Sequence, residues 1–124
     1  MSLVYAVIRF ATEICERDSM AKVNFEKLLL EAIDENLASM GESPKQAIYY
    51  HLEKGFNVKK QEIPCKTEAF VLAVEKLFGI GANFIESLIL KKLYEKAGLK
   101  GKEEAFKNLT FVEIVAAVIQ TMEQ

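Results

Sequence analysis

His51 is the only histidine in the chain, and Cys15 and Cys65 are its only cysteines. Together they are the residue types with the widest chemical reach here. A zinc site would need several nitrogen or sulfur ligands at short spacing, such as two cysteines two residues apart. That pattern is missing, so no metal or cofactor is expected. A cysteine nucleophile would need His51 beside Cys15 or Cys65 and a third group to orient it, and the sequence brings no such trio together. The expected reading is two reduced, half-buried thiols and a partly buried His51 with a satisfied nitrogen.

Gly79-Ile80-Gly81 lacks the third glycine of a dinucleotide loop and follows no strand pattern. The glycines are accounted for by one helix ending and the next beginning. Asp34-Glu35 and Glu103-Glu104 are sequence neighbours, which do not share a helix face, so they read as solvated charge. No catalytic residue is assigned and the chain is not expected to be an enzyme.

Lysines are the remaining candidates. Residues 43–66 hold five lysines against two glutamates, and residues 90–107 hold six against three. Each segment is therefore net +3, whereas residues 1–42 are net −4. If the segments shared a face, Lys45, Lys59, Lys60, Lys91, Lys92 and Lys96 could contact a phosphate backbone. Arginine, the usual base reader, is absent from both, which favours ordinary solvent-facing lysines. A third option is a small-molecule pocket lined by Tyr50, His51, Phe56 and Tyr94.

The elements that must position these residues are helices. Phe25, Leu29, Ile33, Leu37 and Met40 recur at helical spacing over 23–40, with Asn24 as cap and Gly41 as stop. Ser43-Pro44-Lys45-Gln46 reads as a capping box opening a helix that Gly55 closes. A short turn is expected before Pro64. Thr67 should cap 67–78. Residues 82–97 are apolar around most of the circumference, which predicts the central helix. Gly98 begins a hydrophilic link with one helical turn at 102–107. Thr110-Phe111-Val112-Glu113 is a second capping box, with Leu109 and Ile114 as its hydrophobic staple. The stretch 3–17 fits helix better than strand, because nothing else could pair with a strand.

The expected fold is therefore all-α: a compact orthogonal or antiparallel bundle of five to six helices with short links. A chain of 124 residues reads as a single domain, with 1–19 as an N-terminal extension, 23–98 as the core and 109–124 as a C-terminal helix. With 51% apolar residues, 27% charged residues and a net charge of −2, it resembles an ordinary soluble domain with no global field for nucleic acid or membrane. No signal peptide or stretch of ~20 apolar residues stands out, so a cytoplasmic place is expected.

Two resemblances add to this. Residues 43–54 look like the recognition helix of winged-helix repressors, with its His-Leu pair at His51-Leu52. However, Leu37 stands where close helix approach needs a small residue, and no strand pair follows Gly55. The broader resemblance runs through Ala47 to Lys54, Glu62-Ile63-Pro64, Glu68-Ala69-Phe70, Leu77-Phe78-Gly79, Gly81-Ala82 and Leu93-Tyr94. It is similar to a small archaeal family of helical domains without an assigned activity, found also as output domains of archaeal signalling proteins. It covers about residues 25–98, with Thr67 in place of a second proline. It implies a helical module for protein interaction or signal output. The apolar segments 3–14 and 111–122 exceed what a core of this size requires, which favours a homodimer.

Overall fold

The computed structural model describes residues 20–123. All regular structure among them is helical. Helix α1 spans Met20–Met40 and α2 spans Glu42–Phe56; a 3-10 turn at Lys60–Cys65 leads to α3, Thr67–Phe78. A 3-10 corner at Gly79–Gly81 joins α3 to α4, Ala82–Lys96, and another turn at Glu103–Phe106 precedes α5, Phe111–Glu123. The all-α bundle read from the sequence is the observed fold. The helix expected at 3–17, the extension 1–19 and Cys15 lie outside the described residues.

The centre is α1, not α4. Helix α1 packs against α2, α4, α5 and the Lys60–Cys65 turn. It buries Phe25, Leu29, Ala32, Ile33 and Leu37. Asn36 is buried with them, and its Nδ2 donates to the Ile85 carbonyl of α4 over 3.5 Å. Helix α4 spends only one stripe on the core: Ala82, Ile85, Ile89 and Leu93, with Tyr94 alongside. Its other apolar side chains stay half-buried or exposed, and Phe84 is 69% exposed. Apolar residues around a circumference thus did not mean burial around it.

Several helix ends differ from expectation for local reasons. Because α1 is already helical at Met20, Asn24 is interior and caps nothing. Gly41 alone makes the turn between α1 and α2, at φ +118, a conformation that side chains other than glycine's resist. The helix therefore starts at Glu42, two residues before the expected first helical residue Pro44, with no side-chain cap. Pro44 is its third residue, where a missing N–H is harmless because first-turn amides have no intrahelical acceptor. Gln46 Nε2 donates instead to Glu42 Oε1 at 3.1 Å.

At the far end Gly55 is not the stop. Asn57 takes the left-handed conformation, φ 56 and ψ 41, which asparagine tolerates better than most residues. The Val58 N–H then closes onto the Leu52 carbonyl at 3.0 Å. Thr67 is the first residue of α3 and buried, so it does not cap; Lys66 precedes the helix without a side-chain cap bond. Cys65 is in a disulfide, which corrects the expectation of a reduced thiol there.

The Thr110 box forms as read. The Glu113 N–H donates to Thr110 Oγ1 at 3.2 Å, and the Thr110 N–H donates to Glu113 Oε1 at 2.9 Å. This reciprocity explains how Glu113 can be buried. The staple residues Leu109 and Ile114 both join the core. Within the link, Phe106 is buried and stacks on Tyr94, centroids 5.5 Å apart and planes 13° apart.

Candidate interaction surface

The two lysine segments do converge, but on carboxylates of α1. Lys45 and Lys60 reach Asp34 Oδ1 at 3.3 and 3.0 Å. At the next residue of α1, Lys96 Nζ lies 2.7 Å from Glu35 Oε2 and also 3.7 Å from Glu31, and Lys92 lies 3.9 Å from Glu35. Adjacency in sequence sends Asp34 and Glu35 to different partners, Asp34 toward α2 and the 3-10 turn and Glu35 toward α4. The Lys60 hydrogen bond holds the Asp34 carboxyl below its ordinary range, and Lys96 does the same for Glu35. Lys59 and Lys91 are exposed. A shallow hollow of about 350 Å³ runs past Lys27, Leu30, Glu31 and Lys60. Four of the six lysines singled out are thus interleaved with three acids, and this face carries mixed charge.

Of the four residues considered for a pocket, His51 and Phe56 meet, while Tyr50 and Tyr94 have other surroundings. His51 meets the edge of Phe56, centroids 5.7 Å apart at 76°. Its Nε2 is buried without a hydrogen-bond partner among the described residues. Tyr50 points to solvent and Tyr94 is taken up by Phe106. Neither that hollow nor the larger cavity described next is lined by any of the four.

The larger cavity, about 420 Å³, lies between α3, α4 and the start of α5. Val71 and Glu75 come from α3, one turn apart. Asn83, Glu86, Ser87 and Leu90 form one stripe of α4. Thr110, Phe111 and Val112 close the third side. Glu86 Oε2 is shielded from solvent and has no hydrogen-bond donor among the described residues. Burial raises the proton affinity of Glu86, and the charge of Glu75 adds to it. Neither glutamate has a salt bridge among the described residues. Among those residues, no three histidine, cysteine, aspartate or glutamate side chains gather as metal ligands.

The adjoining corner is apolar. Ile80, between Gly79 and Gly81, is fully exposed, and Leu77 and Phe84 flank it in sequence at 42% and 69% exposure. Gly79 has φ +57 and ψ −125, which turns α3 into α4 and throws Ile80 outward. The sequence reading treated this corner only as a turn and passed over the cavity. Two signals were available: an isoleucine between two glycines, and Asn83, Glu86, Ser87 and Leu90 at helical spacing beside an apolar stripe.

No family model matches the chain, and no curated protein and no solved structure matches it either. Among the described residues, no helix is long and apolar enough to cross a membrane.

Proposed function

We propose that the chain is a non-enzymatic interaction module, a signal-output domain that docks a protein partner or a second copy of itself on the α3–α4 corner. The observation that carries this reading is Ile80, fully exposed at the corner, with Leu77 and Phe84, three residues before it and four after, also exposed. Large apolar side chains grouped on a surface mark interaction sites, whereas scattered ones need no explanation. The resemblance of residues 25–98 to archaeal output domains supports the same reading and spans α1 to α4. Phosphate binding draws less support, because Glu31, Asp34 and Glu35 sit among the lysines it would use and would repel a polyanion. The disulfide at Cys65 pulls against a reducing compartment. Alkylation of thiols in protein taken directly from its cells would decide the point, with a blocked Cys65 arguing for an oxidising one.

Light scattering on the purified chain tests the docking reading. A dimer has twice the 14.0 kDa chain mass, and Ile80→Asp combined with Phe84→Ser should return it to a monomer with an unchanged helical spectrum. If the native chain is a monomer, crosslinking in host extract should capture a defined protein that the double variant loses. A monomer whose crosslinked products are the same with and without the two substitutions would overturn the proposal.

A further inference from the structure

The cavity beside the apolar corner has its own chemistry. Its volume of about 420 Å³ lies in the range of pockets that hold small ligands or whole side chains, roughly 300–1,000 Å³. Two carboxylates face it, Glu75 from α3 and Glu86 from α4. On α1, by contrast, Asp34 and Glu35 are matched by lysines. Glu75 and Glu86 have no cation among the described residues, and Glu86 Oε2 has lost its water without gaining a donor. A shielded anion with nothing to replace its hydration is costly. A cation supplied from outside would remove that cost.

Among the described residues no third histidine, cysteine or carboxylate joins the two glutamates, so an organic cation suits the site better than a metal ion. Val71, Leu90, Phe111 and Val112 give the same cavity apolar walls. Such walls match the methylene stem of a long basic side chain, whose charged head would reach the carboxylates. Ser87 Oγ donates to the Asn83 carbonyl at 2.9 Å, so its lone pairs remain free to accept from the same head. Asn83 is the second residue of α4, directly after the Gly79–Gly81 corner, so the cavity begins within one helical turn of that corner.

We infer that this cavity receives the ammonium or guanidinium group of a lysine or arginine side chain carried by the docking partner. The inference rests on the interaction reading above and names the partner's chemistry: a segment with a basic residue next to apolar ones.

Amide shifts of the ¹⁵N-labelled full chain test it. Titration with n-butylguanidinium or n-butylammonium should give saturable shifts at Val71, Asn83, Ser87 and Val112, and n-butanol should give none. Glu75→Gln with Glu86→Gln should weaken cation binding about tenfold or more, close to 1.4 kcal/mol. Glu104→Gln, at an exposed pair with Lys107, should leave it unchanged. The spectrum itself reports whether each variant is folded. An acetylated and amidated Leu-Arg-Leu-Leu peptide should bind about tenfold tighter than n-butylguanidinium and lose that gain in Phe84→Ser. Absence of shifts with either cation, or equal shifts with n-butanol, overturns the inference. Cation binding with no gain for the peptide assigns the cavity to a free amine and overturns the partner side chain. The light-scattering and crosslinking comparison does not involve Glu75 or Glu86, so the docking reading can stand if this one falls.

Discussion

The Tyr49 hydroxyl donates to Asp34 Oδ1 at 3.0 Å, joining α2 to α1 through an oxygen that Lys60 and Lys45 also approach. Lys60 Nζ in turn lies 5.2 Å from the centre of the Tyr49 ring. One half-exposed carboxylate thus ties together α1, α2 and the Lys60–Cys65 turn. Burial first, and Asp34 second, push the Tyr49 phenol well above its ordinary range, so it remains a donor at any ordinary pH.

Asp34→Ala should therefore destabilise the chain by about 1–2 kcal/mol, the worth of one charged hydrogen bond plus two solvent-screened ion pairs. Tyr49→Phe should cost about 1 kcal/mol. Urea unfolding of both single variants and the double variant checks the pair. Strict additivity would mean that Tyr49 and Asp34 do not act on each other.

The chain should lose stability in acid through Asp34 and Glu35. Both have folded values below their ordinary 3.8 and 4.5. A depressed folded value contributes stability above the ordinary value and loses it as pH falls through the folded one. The decline should therefore begin near pH 4 and steepen below it. Thermal melts from pH 7 to 2 should show a flatter acid limb for Asp34→Asn than for the native chain. An equal slope in both would remove Asp34 from the account.

Glu86 has the opposite sign. Its folded value is raised by burial and by Glu75, so its ionisation weighs against folding above that value, and protonation relieves the penalty as pH falls. Glu86→Gln should raise the melting temperature at pH 7 and not at pH 4. Partial exposure keeps the gain to a fraction of a kcal/mol. A variant less stable at pH 7 would show that the carboxylate has a partner in solution.

Gly55 and Gly79 should respond oppositely to alanine. At Gly55, inside α2, an added Cβ would sit 3.5 Å from the His51 ring, an ordinary contact. Gly55→Ala should stabilise by about 0.4–1 kcal/mol through the unfolded chain and helix propensity. At Gly79 nothing lies within 4 Å, yet φ is +57 with ψ −125. Gly79→Ala should cost about 1–3 kcal/mol from backbone strain alone. Denaturation midpoints with unchanged slopes would establish both signs.

Thr110→Ala removes the acceptor of the Glu113 N–H and should cost about 1 kcal/mol. Thr110→Ser should restore most of it. If serine does not rescue, the threonine methyl rather than its oxygen holds the helix start.

The helices were readable because buried stripes such as Phe25-Leu29-Ile33-Leu37 and Phe70-Ala73-Val74 repeat at helical spacing and nothing competes with them. The Thr110 box was readable because both its partners lie within four residues. Ser43 failed as a cap because Gly41, free to take a positive φ, let the helix begin earlier. The central helix was misjudged because apolarity in α4 serves a surface as well as the core, and hydropathy does not distinguish the two. The lysine clusters were visible as charge, but their partners Asp34 and Glu35 lie 11 to 61 residues away in sequence. Glu75 and Glu86 meet only after the Gly79–Gly81 corner has folded α3 back along α4, a geometry no local pattern encodes.

Ile80 is fully exposed among the described residues, so selection for a stable fold places little demand on which side chain stands there. Alleles at this codon should differ in what the living cell can do with the protein while leaving its abundance alone. Position 80 is thus where a genetic screen can separate lost contact with other molecules from lost structure.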